Sequence, residues 1–205
     1  MLQLFIATLL VSLLHALIPS HWIPLLSVSK TYKWTKKETL IMSFYLSCAH
    51  VLSSLVIGIL LGVLGLKLNE TLGSALHWIS PLILISFGVY FLWRHHTHHH
   101  FHVDDELIQP PIRKRQLFLS LMMFMILSPC LEITGFFFGA GSFGYSAIFI
   151  VAIIYTLCSI IAMVLWVNFL YVGFQNIDAH RWEHRSGIWT GVTIIVTGIL
   201  SFFIH

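Results

Sequence analysis

The chain has 205 residues, of which 58% are hydrophobic and only 9% charged, and its mean hydropathy is +0.88. A formal charge of +3 arises from 11 basic and 8 acidic residues, and the basic ones gather between apolar stretches instead of forming a stripe that could follow phosphates. These figures exclude a soluble domain and make nucleic acid an unsuitable partner; they describe a protein whose solvent is the lipid bilayer.

Six apolar stretches reach the roughly 20 residues that crossing a bilayer core requires: 2–26, 39–66, 72–93, 116–138, 145–173 and 187–204. They predict an all-α polytopic fold of six transmembrane helices in one membrane domain, with residues 1–93 as a first three-helix half, 94–115 as a histidine-rich loop and 116–205 as a second half. The first stretch has neither a basic leader nor a small-residue cleavage site, so it is expected to stay in the mature protein. Lys30, Lys33, Lys36 and Lys37 follow it; Arg94, Arg113, Lys114 and Arg115 follow the third; Arg181 and Arg185 follow the fifth; the other loops hold only Lys67. Basic residues accumulate on the cytoplasmic face, so both termini are expected outside a plasma (inner) membrane and the histidine-rich loop inside. Halves with an odd number of helices have opposite orientations, which predicts a 3+3 inverted repeat.

In chain order, the first helix carries His15, Pro19 and His21 where a membrane helix should carry hydrocarbon. A polar group in lipid needs a partner or a task, and neutral imidazole is the commonest ligand for transition metals. Pro19 has no N–H to give the carbonyl of His15, so it should bend the segment and let the two imidazoles turn toward one another. Packing and ordinary hydrogen bonding are the bland alternative. The second helix offers Cys48 and His50, which two positions of helix place on nearly opposite faces, so only one can face a given ion; His50 is the expected ligand, with Ser47, Ser53 and Ser54 as alternative hydrogen-bond partners. His77 and Trp78 in the third read as interfacial anchors.

The following loop holds His95, His96, His98, His99, His100 and His102, then Asp104, Asp105 and Glu106, a tract whose composition binds borderline divalent metals loosely. In the fourth helix Pro129, Cys130 and Glu132 repeat the pattern of a proline beside candidate ligands, and a carboxyl at that depth must be paired, metal-bound or protonated. The nearby methionines are expected to fill gaps. Cys158, Asn168 and the threonines of the last two helices suit ordinary interhelical bonding, and His180 and His184 are expected in solvent. Three cysteines, all within apolar stretches, make no extracellular disulfide framework.

The segment HALIPSH in the first helix resembles the HALxPGH motif of nickel/cobalt efflux transporters, a branch of the nickel/cobalt transporter superfamily, with Ser20 where that motif has glycine. AHVLSSLVIG around His50 resembles that family's second-helix segment, Pro129–Cys130 resembles its Pro-Cys segment, and a histidine-rich cytosolic loop is common among its members. The HX4DH motif of the uptake branch is absent, since no aspartate precedes His21. The resemblance implies a six-helix exporter of divalent nickel or cobalt in which His15, His21 and His50 match metal-path positions; Leu131 and Glu132 after the Pro-Cys pair depart from the family pattern, zinc and copper also suit the donors, and Cys130 and Glu132 are expected to complete or gate the path. It implies no permanently bound cofactor and no enzymatic activity. Two other readings stand beside it: a membrane thiol-disulfide oxidoreductase of the cytochrome-biogenesis type, in which Cys130 pairs with Cys48 or Cys158, and a metal-binding accessory protein that moves no ions. The oligomeric state is open.

Overall fold

The computed structural model describes residues 2–72, 75–97, 114–128, 130–174 and 179–202. They form helices α1 (Leu2–Ala16), α2 (Pro19–Thr31), α3 (Lys36–Leu72), α4 (Ala75–Thr97), α5 (Lys114–Leu127), α6 (Leu131–Ala140), α7 (Tyr145–Phe174) and α8 (Ala179–Phe202), with a 3-10 turn at Gly141–Phe143. No strand occurs among the described residues. The expected all-helical class is therefore observed among the described residues; Pro19 opens α2, and α5 ends at Leu127 with α6 starting at Leu131.

The bundle has the polarity expected of a chain surrounded by lipid. Phe149, Ile153, Leu157, Ile161, Leu165 and Phe169, spaced one helical turn apart along α7, are exposed, whereas α3 buries Thr39, Ser43, Ser47, His50 and Ser54 along one face. An apolar stripe of that length facing water would be an aggregation surface. The continuous span 2–31, together with 36–71 and 145–173, is long and apolar enough to cross a bilayer; α5 and α6, bent by 40°, make a fourth if they count as one span. The described apolar segments of α4 and α8 are shorter, Pro81–Tyr90 and Ile188–Leu200.

Helix packing follows a recurring pattern. The two interrupted helices are α1–α2 and α5–α6. α1 lies along α7 as α5 lies along α3; α2 packs on α8 as α6 packs on α4; α1 touches α6 and α2 touches α5. Close approach is made by small residues. Gly58, Gly62 and Gly65 form a glycine edge on α3, where a side chain at Gly58 would strike the Phe137 ring and one at Gly65 the carbonyl of Phe138. Gly88, Gly191 and Gly198 do the same between α4 and α8. Gly141 sits opposite, its missing side chain leaving room for the carbonyl of Gly62 and the amide of Leu66. Gly141→Ala is expected to push the 3-10 turn off α3 and to cost about 2 kcal/mol, the usual scale for overpacking, read as a lowered thermal unfolding midpoint in detergent.

At the end of the bundle rich in Lys and Arg, α3 begins with a reciprocal cap in which the Thr35 amide donates to Glu38 Oε2 at 2.9 Å and the Glu38 amide to Thr35 Oγ1 at 3.3 Å. Lys114, the first residue of α5, bonds the other oxygen of Glu38 and lies 5.1 Å over the Trp34 ring. The Tyr171 hydroxyl donates to the Trp34 carbonyl at 2.6 Å, so the starts of α3 and α5 and the end of α7 are tied together.

Two apolar clusters divide the interior. One gathers Leu4, Ala7 and Val11 of α1 with Val51, Phe136, Phe137 and Val151. The other gathers Trp22, Leu25 and Leu26 of α2 with Leu46, Met125, Met163 and Val167. On α1–α2 and on α3 alike the chain passes from one cluster to the other through histidine: His15 and His21 on the first, His50 on the second.

Candidate metal centre

The break between α1 and α2 does what a proline at position 19 requires. His15 carbonyl would receive the amide of residue 19, which proline lacks, and receives that of Ile18 instead, at 3.1 Å; the Leu17 amide bonds the Leu14 carbonyl at 3.1 Å. These are tightened, three-residue turns. Ile18 adopts extended geometry (φ −64°, ψ 122°), as a residue before proline prefers, and α2 restarts with Pro19 in its first turn. The imidazoles of His15 and His21 consequently face each other, with ring centroids 4.5 Å apart.

His50 of α3 completes the group. Its ring lies 5.4 Å from that of His15, nearly parallel to it, and 4.6 Å from that of His21. Cys130 enters from the break between α5 and α6, its Sγ 3.2 Å from His21 Nε2, and its amide donates to Ser54 Oγ at 3.3 Å. One donor atom from each of His15, His21, His50 and Cys130 lies within 4.8 Å of every other. The three histidines are buried and Cys130 is partly buried.

Hydrogen bonds fix which lone pairs remain. His50 Nδ1 is 3.2 Å from the carbonyl of Met125, and a carbonyl only accepts, so Nδ1 carries the proton and Nε2 presents its lone pair. That carbonyl is free because its ordinary donor would be the amide of residue 129, a proline. His50 Nε2 is buried without a hydrogen-bond partner, and so is His21 Nδ1. A buried polar atom left unpaired costs about 1–3 kcal/mol. The orphaned Nε2 of His50, together with His21 Nε2 beside the Cys130 sulfur, fits a metal ion that would take up their lone pairs.

Glu132 is not one of the four convergent donors but adjoins them. Its Oε2 is 3.4 Å from His15 Nδ1, and its Oε1 accepts the Thr193 hydroxyl at 2.9 Å. It touches the donor group through His15, as a carboxylate behind a metal-binding histidine does. Tyr155 closes the site from α7, its ring edge-on to His15 at 5.5 Å.

Of the residues singled out in the sequence, His15, His21, His50 and Cys130 are brought together from three separate parts of the chain, and Glu132 adjoins them. Cys48 and Cys158 are not among the convergent donors, and all three cysteines are free thiols. None of Ser47, Ser53 and Ser54 is the partner of the His50 ring; Ser53 donates to the His50 carbonyl. His95 and His96 belong to the last turn of α4, and His98, His99, His100 and His102 with the acidic residues after them lie outside the described residues. Three contributors escaped the sequence reading: the Met125 carbonyl, Tyr155 and Thr193. The first was in principle legible, because it stands four residues before Pro129. Comparison with family models, with curated proteins and with solved structures finds no match for this chain.

Proposed function

We propose that this protein is a membrane transporter that exports divalent transition metal ions, nickel and cobalt foremost, through a six-span bundle built as a 3+3 inverted repeat. The observation that carries the reading is the convergence of three buried imidazoles and one partly buried thiol, from the two helix breaks and α3, within 4.8 Å of one another. Nitrogen and sulfur donors suit the borderline ions nickel, cobalt, zinc and copper, and do not suit magnesium or calcium. Charge supports a divalent ion. A thiol loses its proton on ligating metal, so the Cys130 thiolate and the Glu132 carboxylate together offset two positive charges inside the bundle.

The repeat is supported by two corresponding pairs of contacts, α1 on α7 with α5 on α3 and α2 on α8 with α6 on α4. In such folds, interrupted helices meet at the ion, and rocking of one half on the other opens the site to each side in turn. The proposed direction rests on the cytosolic histidine tract, which would gather metal on the side where Lys and Arg accumulate, and on the resemblance of HALIPSH to the efflux motif.

The test is metal flux into proteoliposomes that contain a metal-sensitive dye. Entry of cobalt, nickel or zinc above that of protein-free vesicles is expected; flux equal to the empty vesicles for all of them overturns the transporter reading.

A further inference from the structure

We infer that Thr193 of α8 is a positioning residue for the metal centre, acting on His15 through Glu132; the inference rests on the metal-centre reading above. The Thr193 hydroxyl is 2.9 Å from Glu132 Oε1, while Glu132 Oε2 is 3.4 Å from His15 Nδ1, so a single relay runs from α8 through α6 to α1. The Thr190 carbonyl is also 2.9 Å from Thr193 Oγ1. A hydroxyl has one proton to donate, and a carboxylate oxygen is the stronger acceptor of the two.

The consequence for the site is geometric. Glu132 is buried and lies in the first turn of α6, with its two oxygens held from different sides by two other helices. Held at both ends, the carboxyl cannot rotate about its terminal bond, and it directs the Nδ1–H of His15 so that Nε2 is left for the ion. Without Thr193, Oε1 is an unpaired buried acceptor, and the carboxyl turns to find another donor. His15 then loses the fixed partner that sets both its tautomer and its ring plane.

The relay also connects the centre to a separate part of the bundle. α8 is interlocked with α4 at Gly88, Gly191 and Gly198, where any side chain would meet the opposing helix, so the two behave as one packed pair. α8 touches α2 and α6 as well. A displacement of the α4–α8 pair from α6 by roughly 0.6 Å along the 2.9 Å Thr193 bond would break it, since hydrogen bonds fade beyond about 3.5 Å. Metal affinity thereby follows the position of α8: tight where Thr193 reaches Glu132, weak where it does not. In a transporter, movement of the α4–α8 pair against the broken helices would loosen the hold on the cargo.

The experiment uses the full-length chain purified in nanodiscs and titrated with cobalt(II), reading both affinity and the visible ligand-field spectrum. Thr193→Val, which keeps the shape and removes the donor, is expected to weaken cobalt binding by about 10-fold, the lower end of what loss of a ligating histidine's own partner costs because Thr193 acts through Glu132, and to alter the spectrum. Thr193→Ser, which restores the donor, should restore both. Thr197→Val, at a buried position one turn further along α8, serves as the control for packing. If Thr193→Val does not fold, Thr193→Ala takes its place. Native affinity and spectrum in the donorless variant, or an equal loss in Thr197→Val, overturn the inference. Failure of the underlying reading looks different: His50→Ala would then bind cobalt as tightly as the native chain.

Discussion

His50→Ala is expected to weaken metal binding by a factor on the order of 100 or more and to reduce cobalt flux to that of empty vesicles, a larger effect than removal of any supporting group. Two losses coincide at this position. The variant removes Nε2, a lone pair that points into the cluster, buried and with no hydrogen-bond partner. It also removes the N–H that the Met125 carbonyl receives in place of the amide that Pro129 does not have. The second loss costs about 1–3 kcal/mol of stability, so thermal unfolding of the variant should begin earlier. Cobalt titration well below that temperature separates the two effects. Binding that survives with native strength in folded His50→Ala would remove α3 from the site and leave two histidines and a thiol from the broken helices alone.

How much of this was legible in the sequence depends on the kind of signal involved. The first break was legible because proline acts locally: the missing N–H at 19 changes the hydrogen bonds of its own helix. The choice of His50 over Cys48 was legible for the same reason, since residues two apart on a helix cannot share a face, and the structure buries His50 in the cluster while Cys48 stands outside it. The convergence of α1–α2, α3 and the α5–α6 break was not legible from periodicity. It depends on contacts between residues more than a hundred positions apart, such as His21 with Cys130. Thr193 was invisible for a further reason. A threonine in an apolar helix usually bonds the carbonyl of its own preceding turn, as Thr8 and Thr156 do here, and only the partner across the interface distinguishes the one that does more. Glu132 was recognised as costly, but whether a buried carboxyl binds an ion directly or orients a residue that does is a matter of about one side-chain length, which no spacing rule resolves.

Pro19→Leu should also cost the protein its metal, although position 19 supplies no ligand. On an unbroken helix, residues 15 and 21 are separated by about 240° around the axis and about 9 Å along it, so their rings could not approach. In the broken segment the centroids are 4.5 Å apart. Leucine restores the amide that the His15 carbonyl lacks, frees Ile18 from the extended geometry that a following proline imposes, and favours the helix at both positions. Joining α1 to α2 would turn His21 away from His15 and take its Nε2 off the Cys130 sulfur, now 3.2 Å away. The expected outcome is a loss of cobalt affinity of at least about tenfold with membrane insertion kept, and an earlier thermal unfolding because the turn of α2 lifts Trp22, Leu25 and Leu26 from their cluster. Pro19→Gly returns the same amide but disfavours helix by about 1 kcal/mol, so it should fall between the two. That ordering separates a break caused by the proline from one held open by the packing of Trp22, Leu25 and Leu26 into the bundle. If packing were the cause, leucine, glycine and proline at position 19 would bind cobalt alike.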